Sequence, residues 1–300
     1  MKLTHAVPML LLLATACATN PATPPATQPA MQPVAATQSA PPPCPVGTAD
    51  LDATLWMQTS AEYAAITREV YATARRTLDV ALADPTWVAT TEEVTPEPNR
   101  QPAIILDLDE TAIDTSPFTA QGIRSNTPYS DEVWAPFALA GNARAIAPAL
   151  DFVKYAQSRG VAVFYVTNRI AAHEAALRRN LETLGFPLDA NMDNVLTKGE
   201  RPEWSSSDKS PRRAFVAGRY RVVMLFGDDL NDFVAANGKS IADRAALVAR
   251  YDDNWGRRWF VLPNPMYGSW ESAAVAGAHG PCAEFEQKLN LLRTGPENQR

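Results

Sequence analysis

Histidine and cysteine are both scarce in this chain, which contains three of each among 300 residues. Only His173 and His279 lie outside the N-terminal leader, too few for the usual histidine-rich site with two metal ions. No cysteine is followed by an arginine six positions later, and no Gly-x-Ser-x-Gly segment occurs. The GKS at 238–240 lacks the upstream glycine of a P-loop, because position 233 is Phe233. We therefore do not expect a histidine-bound pair of metal ions, a cysteine or serine nucleophile of these types, or a P-loop.

Charge is absent from one long segment. Residues 18–49 contain no charged residue and hold nine of the 25 prolines. Such a composition cannot bury enough apolar surface to fold, so we expect a disordered linker over residues 17–49. The whole chain has a formal net charge of −6 and no basic run, which argues against binding a nucleic-acid polymer.

Residues 1–16 predict a bacterial lipoprotein signal peptide. Lys2 precedes a short apolar stretch that cannot span a bilayer, and small residues precede Cys17. Cleavage before Cys17 would allow a lipid anchor in the cell envelope, and we expect the outer membrane, facing the periplasm or the exterior. Secretion without lipidation is the alternative. If Cys17 is lipidated, Cys44 and Cys282 remain and could form a disulfide in an oxidising compartment, but the sequence leaves their pairing open.

Apolar periodicity predicts an α/β fold. Apolar residues recur three, four or seven positions apart from Leu55 to Leu82, which predicts a helix over 54–83. Four apolar runs follow, at 103–106, 161–168, 220–229 and 258–264. Runs of this length are typical of strands covered on both faces, and helical patterns lie between them. We therefore expect a Rossmann-like parallel sheet with helices on both faces.

Polar residues stand at the ends of the first three runs, and a lysine lies between the second and third runs. They are Asp107, Asp109, Thr167, Asn168, Arg169, Lys209, Asp228, Asp229 and Asp232. Each residue alone would more often be a helix cap, a turn residue or a solvated surface group. Because the carboxyl ends of parallel strands meet at one edge of a sheet, we expect these residues to lie together.

Clustered carboxylates repel one another and call for a compensating cation. Carboxylate oxygens without nearby histidine or cysteine suit Mg²⁺. An amine and a hydroxyl beside such an ion favour a phosphoryl group as the ligand.

These motifs resemble those of the haloacid dehalogenase (HAD) superfamily. The matches are DLDET at 107–111, Thr167 in FYVTNR, Lys209 in SSSDKSPRR, and GDDLNDF at 227–233. The segments WMQTSAEY at 56–63 and LPNPMYGSWE at 262–271 are similar to the class C acid phosphatases, the lipoprotein e type of 5′-nucleotidase. The resemblance implies a HAD-like phosphatase domain over 50–300, with its core from residue 102 and a smaller, mainly helical cap region at about 116–150.

The resemblance also implies a division of roles among the aspartates. Asp107 would be the nucleophile that forms an aspartyl-phosphate, and Asp109 would act as general acid and base. Mg²⁺ would bind Asp107, Asp228 and the backbone carbonyl of Asp109. Asp232 would support the metal or orient Lys209. Asp229 departs from the family, where asparagine is frequent, and this difference would alter the surroundings of the metal.

The remaining implied roles concern the substrate. Thr167 and Lys209 would donate to the phosphoryl oxygens, and Asn168 and Arg169 would bind substrate. In the family, aromatic residues at the positions that match Trp134 and Tyr267 stack on a nucleobase or another aromatic leaving group. Burial in the core is the alternative for Tyr267 and for nearby Trp270. The side chain of Glu110 should point away from the two aspartates, and no role follows for it.

The predicted function is a secreted Mg²⁺-dependent acid phosphatase or 5′-nucleotidase acting on small phosphomonoesters such as nucleotides. A homodimer is expected from the resemblance alone. Alternatives are another HAD phosphotransferase, a dehalogenase, or a non-catalytic storage protein of the same fold. A dehalogenase needs neither the metal nor Asp109, and storage relatives lack the nucleophile. A receiver domain would be far smaller and would carry no secretion signal.

Overall fold

The computed structural model describes residues 50–92 and 99–294. The predicted signal peptide and linker, with Cys17 and Cys44, lie outside these residues, whereas Cys282 lies inside them and is disulfide-bonded. No helix in the described ranges is both long and apolar enough to cross a membrane. The α-helices are α1 (Leu51–Thr59), α2 (Ala61–Ala83), α3 (Ser116–Ser125), α4 (Asp131–Ala140), α5 (Ala147–Ser158), α6 (Glu174–Leu184), α7 (Ser210–Ala217), α8 (Ile241–Arg250), α9 (Ser269–Ala274) and α10 (Pro281–Leu291).

The strands form one five-stranded sheet and one two-stranded ribbon. They are β1 (Pro102–Leu106), β2 (Ile113–Asp114), β3 (Arg144–Ala145), β4 (Ala162–Ile170), β5 (Val195–Lys198), β6 (Arg221–Gly227) and β7 (Trp259–Val261). The larger sheet has the order β5-β4-β1-β6-β7, and every pairing in it is parallel. The antiparallel pair β2 and β3 forms the ribbon. The predicted parallel sheet is confirmed, but β5 was not predicted.

The central strand β1 is buried on both faces because its side chains alternate between two apolar layers. Ile104 and Leu106 join a cluster that includes residues of α2 and α5. Ala103 and Ile105 join the cluster on the other face, which includes residues of α7. Burying a large aliphatic side chain contributes about 1.5–3 kcal/mol, so β1 is held firmly. The residues that directly follow β1 therefore start from a rigid position.

The predicted single helix over 54–83 is wrong, because α1 and α2 are separate helices that meet at Ser60. Ser60 has extended dihedral angles, and its hydroxyl accepts a hydrogen bond from the backbone N–H of Tyr63 at 3.1 Å. Serine is a favoured N-cap residue, since this bond satisfies an N–H that has no partner within the helix. The apolar periodicity continues across the break and conceals it.

The segment predicted as a cap region, about 116–150, contains α3, α4, β3 and the start of α5. Helix α5 packs on the sheet, where Ala149, within this segment, is buried in the same cluster as Ile104 and Leu106 of β1. Helices α3 and α4 instead carry Phe118 and Trp134, which line a cavity at the carboxyl ends of the strands. This segment therefore contributes both to the core and to the cavity wall.

Candidate active site

A tight turn follows β1 and carries the first two acidic residues. The backbone N–H of Asp107 donates to the Phe226 carbonyl at 2.9 Å and so continues the pairing of β1 with β6. The chain then folds back, because the Leu108 carbonyl accepts from the N–H groups of Ala112 and Ile113 at 2.8 and 2.9 Å. Asp107 is thus fixed by the sheet, and Asp109 lies within the turn.

Three carboxylates from two motifs converge beside this turn. One oxygen from each of Asp107, Asp228 and Asp232 lies within 4.8 Å of the others, an arrangement that could hold a metal ion. Burial raises the pKa of Asp228 well above its ordinary value, and the charges of Asp107 and Asp232 raise it further. Burial also raises the pKa of Asp232 to about 7, against the opposing effect of Lys209. The cluster carries more negative charge than its protein surroundings offset.

Lys209 joins the nucleophile candidate to the same cluster. Its ammonium nitrogen lies 2.6 Å from a carboxylate oxygen of Asp107 and 2.6 Å from one of Asp232. Burial acts to lower the pKa of Lys209, but the two carboxylates outweigh it and raise the pKa to about 12. Asp232 also accepts from the N–H of Asp229 at 2.9 Å, so both of its oxygens have protein partners. Lys209 therefore stays charged beside Asp107.

The end of β4 supplies the hydroxyl group and two further polar side chains. Thr167 is buried, and its hydroxyl accepts from the N–H of Arg169 at 3.1 Å. The Asn168 amide donates to the Ser207 carbonyl at 3.2 Å and accepts from Arg212 at 2.7 Å. Arg169 pairs with Asp109, and its guanidinium lies 5.1 Å from the ring centre of Trp134. Asn168 and Arg169 were predicted to bind substrate, and both already have protein partners.

One cavity of about 780 Å³ collects these groups. Its lining includes the site residues predicted from the sequence that fall within the described ranges: Asp107, Asp109, Trp134, Thr167, Asn168, Arg169, Lys209, Asp228, Asp232 and Tyr267. The predicted clustering at the strand ends is therefore observed. The individual roles of these residues stay predictions.

The two aromatic residues predicted to stack on the substrate, Trp134 and Tyr267, come from two separate segments of the cavity lining. Trp134 packs perpendicular to Phe118, with ring centres 4.8 Å apart. Tyr267 is 37% exposed and Trp270 is 41% exposed, so neither is a core residue. The Tyr267 hydroxyl donates a hydrogen bond to Glu110, and the Trp270 indole donates to the Tyr267 carbonyl at 3.0 Å. The rings of Trp134 and Tyr267 both remain at the cavity surface.

Two fully buried arginines were not predicted as part of the site. Arg212 donates to the carbonyls of Thr167 and Asp208 as well as to Asn168. Its neighbour Arg213 donates to the Asn231 carbonyl at 2.6 Å and to Glu92 at 2.7 Å. The adjacent pair after Lys209 was visible in the sequence, but arginines are usually exposed, so their burial was not foreseeable.

The loop after β7 is attached directly to the acidic motif that follows β6. Asn264 donates to Asp228 at 2.8 Å, and the Ser269 N–H and hydroxyl each come within 2.6 Å of Asp229. The Asp229 carboxylate accepts from Ser269 and Asn231, and the effect of this aspartate on the surroundings of the metal stays a prediction. Asp229 therefore anchors the loop that carries Tyr267.

A parallel sheet whose strand ends gather an aspartate pair, a lysine and an acidic cluster around one cavity defines an α/β protein of the HAD type. A family model described as "HAD superfamily, subfamily IIIB (Acid phosphatase)" matches residues 18–270, and the chain belongs to this family. The chain is similar to two solved structures of the class C acid phosphatase from Bacillus anthracis, one of them with tungstate bound. Each is 31% identical with a TM-score of 0.73, and the match covers 84% of this chain and 100% of the other.

Family membership defines the reaction class. The chain is an acid phosphatase, a phosphoric monoester hydrolase that acts on small phosphate esters. The predicted family, fold and enzyme class are confirmed, and the dehalogenase and storage-protein alternatives receive no support. HAD phosphatases generally use a divalent metal, and the cluster of Asp107, Asp228 and Asp232 suits one.

Proposed function

We propose that this acid phosphatase is Mg²⁺-dependent, forms an aspartyl-phosphate on Asp107 and hydrolyses nucleoside monophosphates. The observation that carries the proposal is the position of Lys209, which bridges Asp107 and Asp232 beside Asp228 in the cavity lining. An ammonium beside the nucleophile can neutralise charge on a phosphoryl group without displacing the carboxylate.

The reaction divides into two displacements. A carboxylate oxygen of Asp107 attacks phosphorus, the bond from phosphorus to the ester oxygen breaks, and Asp109 gives its proton to that departing oxygen. Asp109 then takes a proton from a water molecule, whose oxygen attacks the phosphorus; the bond from phosphorus to the Asp107 oxygen breaks, and inorganic phosphate leaves. Asp107 is regenerated as the carboxylate. Lys209 and Thr167 donate to the phosphoryl oxygens in both steps.

The acidic cluster fits a divalent cation. Its three carboxylates lie within 4.8 Å of one another, and the pKa values of Asp228 and Asp232 are raised, so a cation would relieve their repulsion. Asp107, Asp228 and the Asp109 carbonyl would hold the ion, with Asp232 in support. When bound, Mg²⁺ offsets the charge on the nucleophile and the phosphoryl oxygens.

The cavity supports a nucleotide as substrate. At about 780 Å³ it lies within the range of roughly 300–1,000 Å³ that is typical of ligand sites. Trp134 and Tyr267 present aromatic surface there, and stacking a base on such a ring contributes about 1–3 kcal/mol. The relative with tungstate bound offers further support, because tungstate is a tetrahedral oxyanion like phosphate.

The first experiment measures phosphate release from AMP by the mature chain, with Mg²⁺ or with EDTA. We expect activity only with the metal, and none in Asp107→Asn, while Asp79→Asn on the surface behaves like wild type. Activity in Asp107→Asn, or activity indifferent to EDTA, would falsify the mechanism. Rapid acid quenching with ³²P-labelled substrate should trap label on the wild-type protein but not on Asp107→Asn.

Substrate class is tested separately with AMP and glycerol 2-phosphate. Trp134→Ala and Tyr267→Ala should raise the KM for AMP more than the KM for glycerol 2-phosphate. Tyr155→Ala, an aromatic substitution outside the cavity lining, is the matched control. Equal losses on both substrates would contradict stacking on the base.

The envelope location rests on residues 1–49, which the structure does not describe. We propose that residues 1–16 are cleaved as a signal peptide, that Cys17 is lipidated and that residues 17–49 form a linker to the domain at 50–300. Cys17→Ser should move the protein from the membrane fraction to the soluble fraction. Unchanged fractionation contradicts the lipid anchor. The expected homodimer is tested by sedimentation of the mature chain.

A further inference from the structure

Glu110 is a fully buried acidic residue whose backbone has an unusual conformation. It lies between Asp109 and Thr111 with φ of +54°, a region that residues other than glycine rarely adopt. Its own N–H donates to the Ile113 carbonyl at 2.9 Å, which holds the turn in this conformation. A carboxylate kept in such a place must find its hydrogen-bond partners inside the protein.

The carboxylate of Glu110 contacts two different segments of the cavity wall. One oxygen accepts from the Thr115 N–H at 2.9 Å and from the Thr115 hydroxyl at 2.7 Å. The other accepts from the hydroxyl of Tyr267, on the loop after β7. Thr115 and Tyr267 both line the cavity, whereas Glu110 does not. Glu110 therefore acts through its neighbours and would not touch the substrate.

Both aromatic residues that are proposed to stack on the base, Trp134 and Tyr267, connect to this carboxylate. Thr115 is the residue that precedes α3, and Phe118 in the first turn of α3 packs against Trp134. The ring of Tyr267 is attached at its hydroxyl end, while part of the side chain remains exposed toward the cavity. One buried side chain thus fixes the ring of Tyr267 and, through Thr115 and Phe118, the segment behind Trp134.

We propose that Glu110 is a positioning residue that sets the preference of this phosphatase for aromatic leaving groups. The proposal rests on the proposed nucleotide substrate, and it adds the residue that holds the rings of Trp134 and Tyr267 in position. A ring that is already fixed loses less conformational freedom when a base stacks on it, so pre-organisation favours aromatic substrates over small aliphatic ones. The alternative is that Glu110 only completes the turn after Asp109.

The experiment compares the ratio of kcat/KM for AMP to kcat/KM for glycerol 2-phosphate in variants of the mature chain. Tyr267→Phe keeps the ring but removes the hydroxyl, and it should lower this ratio about three- to tenfold, mainly by raising the KM for AMP. Glu110→Ala should lower the ratio at least as much, because it also removes the hydrogen bonds from Thr115. The double variant should be no worse than Glu110→Ala alone, because the hydrogen bond that Tyr267→Phe removes is already absent there.

Glu110→Gln provides the conservative rescue. Its amide can still accept from Thr115 and can donate to the Tyr267 oxygen, so the ratio should stay within about twofold of wild type. An unchanged ratio in Tyr267→Phe overturns the proposal, as does an unchanged ratio in Glu110→Ala. If Glu110→Ala does not fold, Tyr267→Phe still decides, since Tyr267 is partly exposed and its substitution opens no buried cavity.

Tyr267→Ala separates this proposal from the proposed substrate class. A lower ratio in Tyr267→Ala with unchanged ratios in Tyr267→Phe and Glu110→Ala removes the positioning role and leaves nucleotide stacking intact. Equal losses on both substrates in Tyr267→Ala contradict stacking itself, and the positioning role is then lost with it.

Discussion

Arg169 forms a bidentate ion pair with Asp109. The guanidinium Nε lies 3.1 Å from both carboxylate oxygens, and Nη2 lies 2.8 Å from one of them. The arginine side chain is only 2% exposed and that of Asp109 is 19% exposed, so solvent screens the pair weakly. The residue predicted to bind substrate therefore contacts the proposed general acid and base directly.

Arg169→Lys should lower kcat about ten- to a hundredfold with a smaller change in KM. Lysine keeps the positive charge but lacks the planar guanidinium with its two parallel N–H donors, so the Asp109 carboxylate is no longer held in one orientation. Misplacing a reacting group by about 1 Å can cost on the order of a hundredfold in rate. Steady-state kinetics on a phosphate ester provide the measurement.

Arg159→Lys is the matched control for that substitution. Arg159 pairs with Asp79 at 2.9 Å, but the two side chains are about half exposed, and such pairs contribute about 0–1 kcal/mol. Its kinetics should equal those of wild type. A wild-type kcat in Arg169→Lys would show that Asp109 does not depend on this pair.

Asp228→Asn should abolish the stabilisation of the protein by Mg²⁺. At a ligand concentration of about 100 Kd, binding adds about 2.7 kcal/mol to the free energy of unfolding. For a domain of this size that corresponds to a rise in Tm of about 5–10 °C. In EDTA the variant should melt no lower than wild type, because it has one charge fewer beside Asp107 and Asp232. Thermal melts with EDTA and with MgCl₂ measure both effects.

Asp151→Asn, an exposed substitution on α5, controls for a general effect of charge removal. It should show the full Tm rise on adding MgCl₂. An equal Tm rise in Asp228→Asn and wild type would place the metal elsewhere.

Glu200 should make the protein less stable as the pH rises from 5 to 8. Burial, a hydrogen bond with Asp193 and nearby acidic charges raise the pKa of Glu200 to about 7. A carboxyl group with a raised pKa in the folded state stabilises that state fully below its ordinary pKa, and the contribution is lost as the pH rises through about 7. Because solvent screens this partly exposed group, we expect about 1 kcal/mol.

The fall in Tm between pH 5 and pH 8 should therefore be smaller for Glu200→Gln than for wild type. The difference should be about 2–4 °C, measured by calorimetry in a chelator. The substituted glutamine would keep an acceptor for the Thr197 N–H, which now donates to Glu200 at 3.1 Å. Glu69→Gln on the exposed face of α2 should follow the wild-type curve. Parallel curves for Glu200→Gln and wild type would contradict the prediction.

Regular apolar runs made most of the sheet predictable. The runs around β1, β4, β6 and β7 are long or sharply bounded, and each was found as a strand. Strand β5 was missed because it has only four residues, Val195–Lys198, two of them polar. The break at Ser60 was missed because helical spacing continues across it, and a serine in such a pattern does not reveal its dihedral angles.

The sequence by itself determined the family, the parallel sheet and the gathering of acidic residues at its carboxyl edge. These follow from local patterns, since an apolar run places the end of a strand to within a few residues. Only the tertiary structure decided the side-chain pairings: Arg169 with Asp109, Glu110 with Tyr267, and the burial of Arg212 and Arg213. Partners such as Glu110 and Tyr267 are 157 positions apart, and their contact depends on how separate loops pack, which no local pattern records.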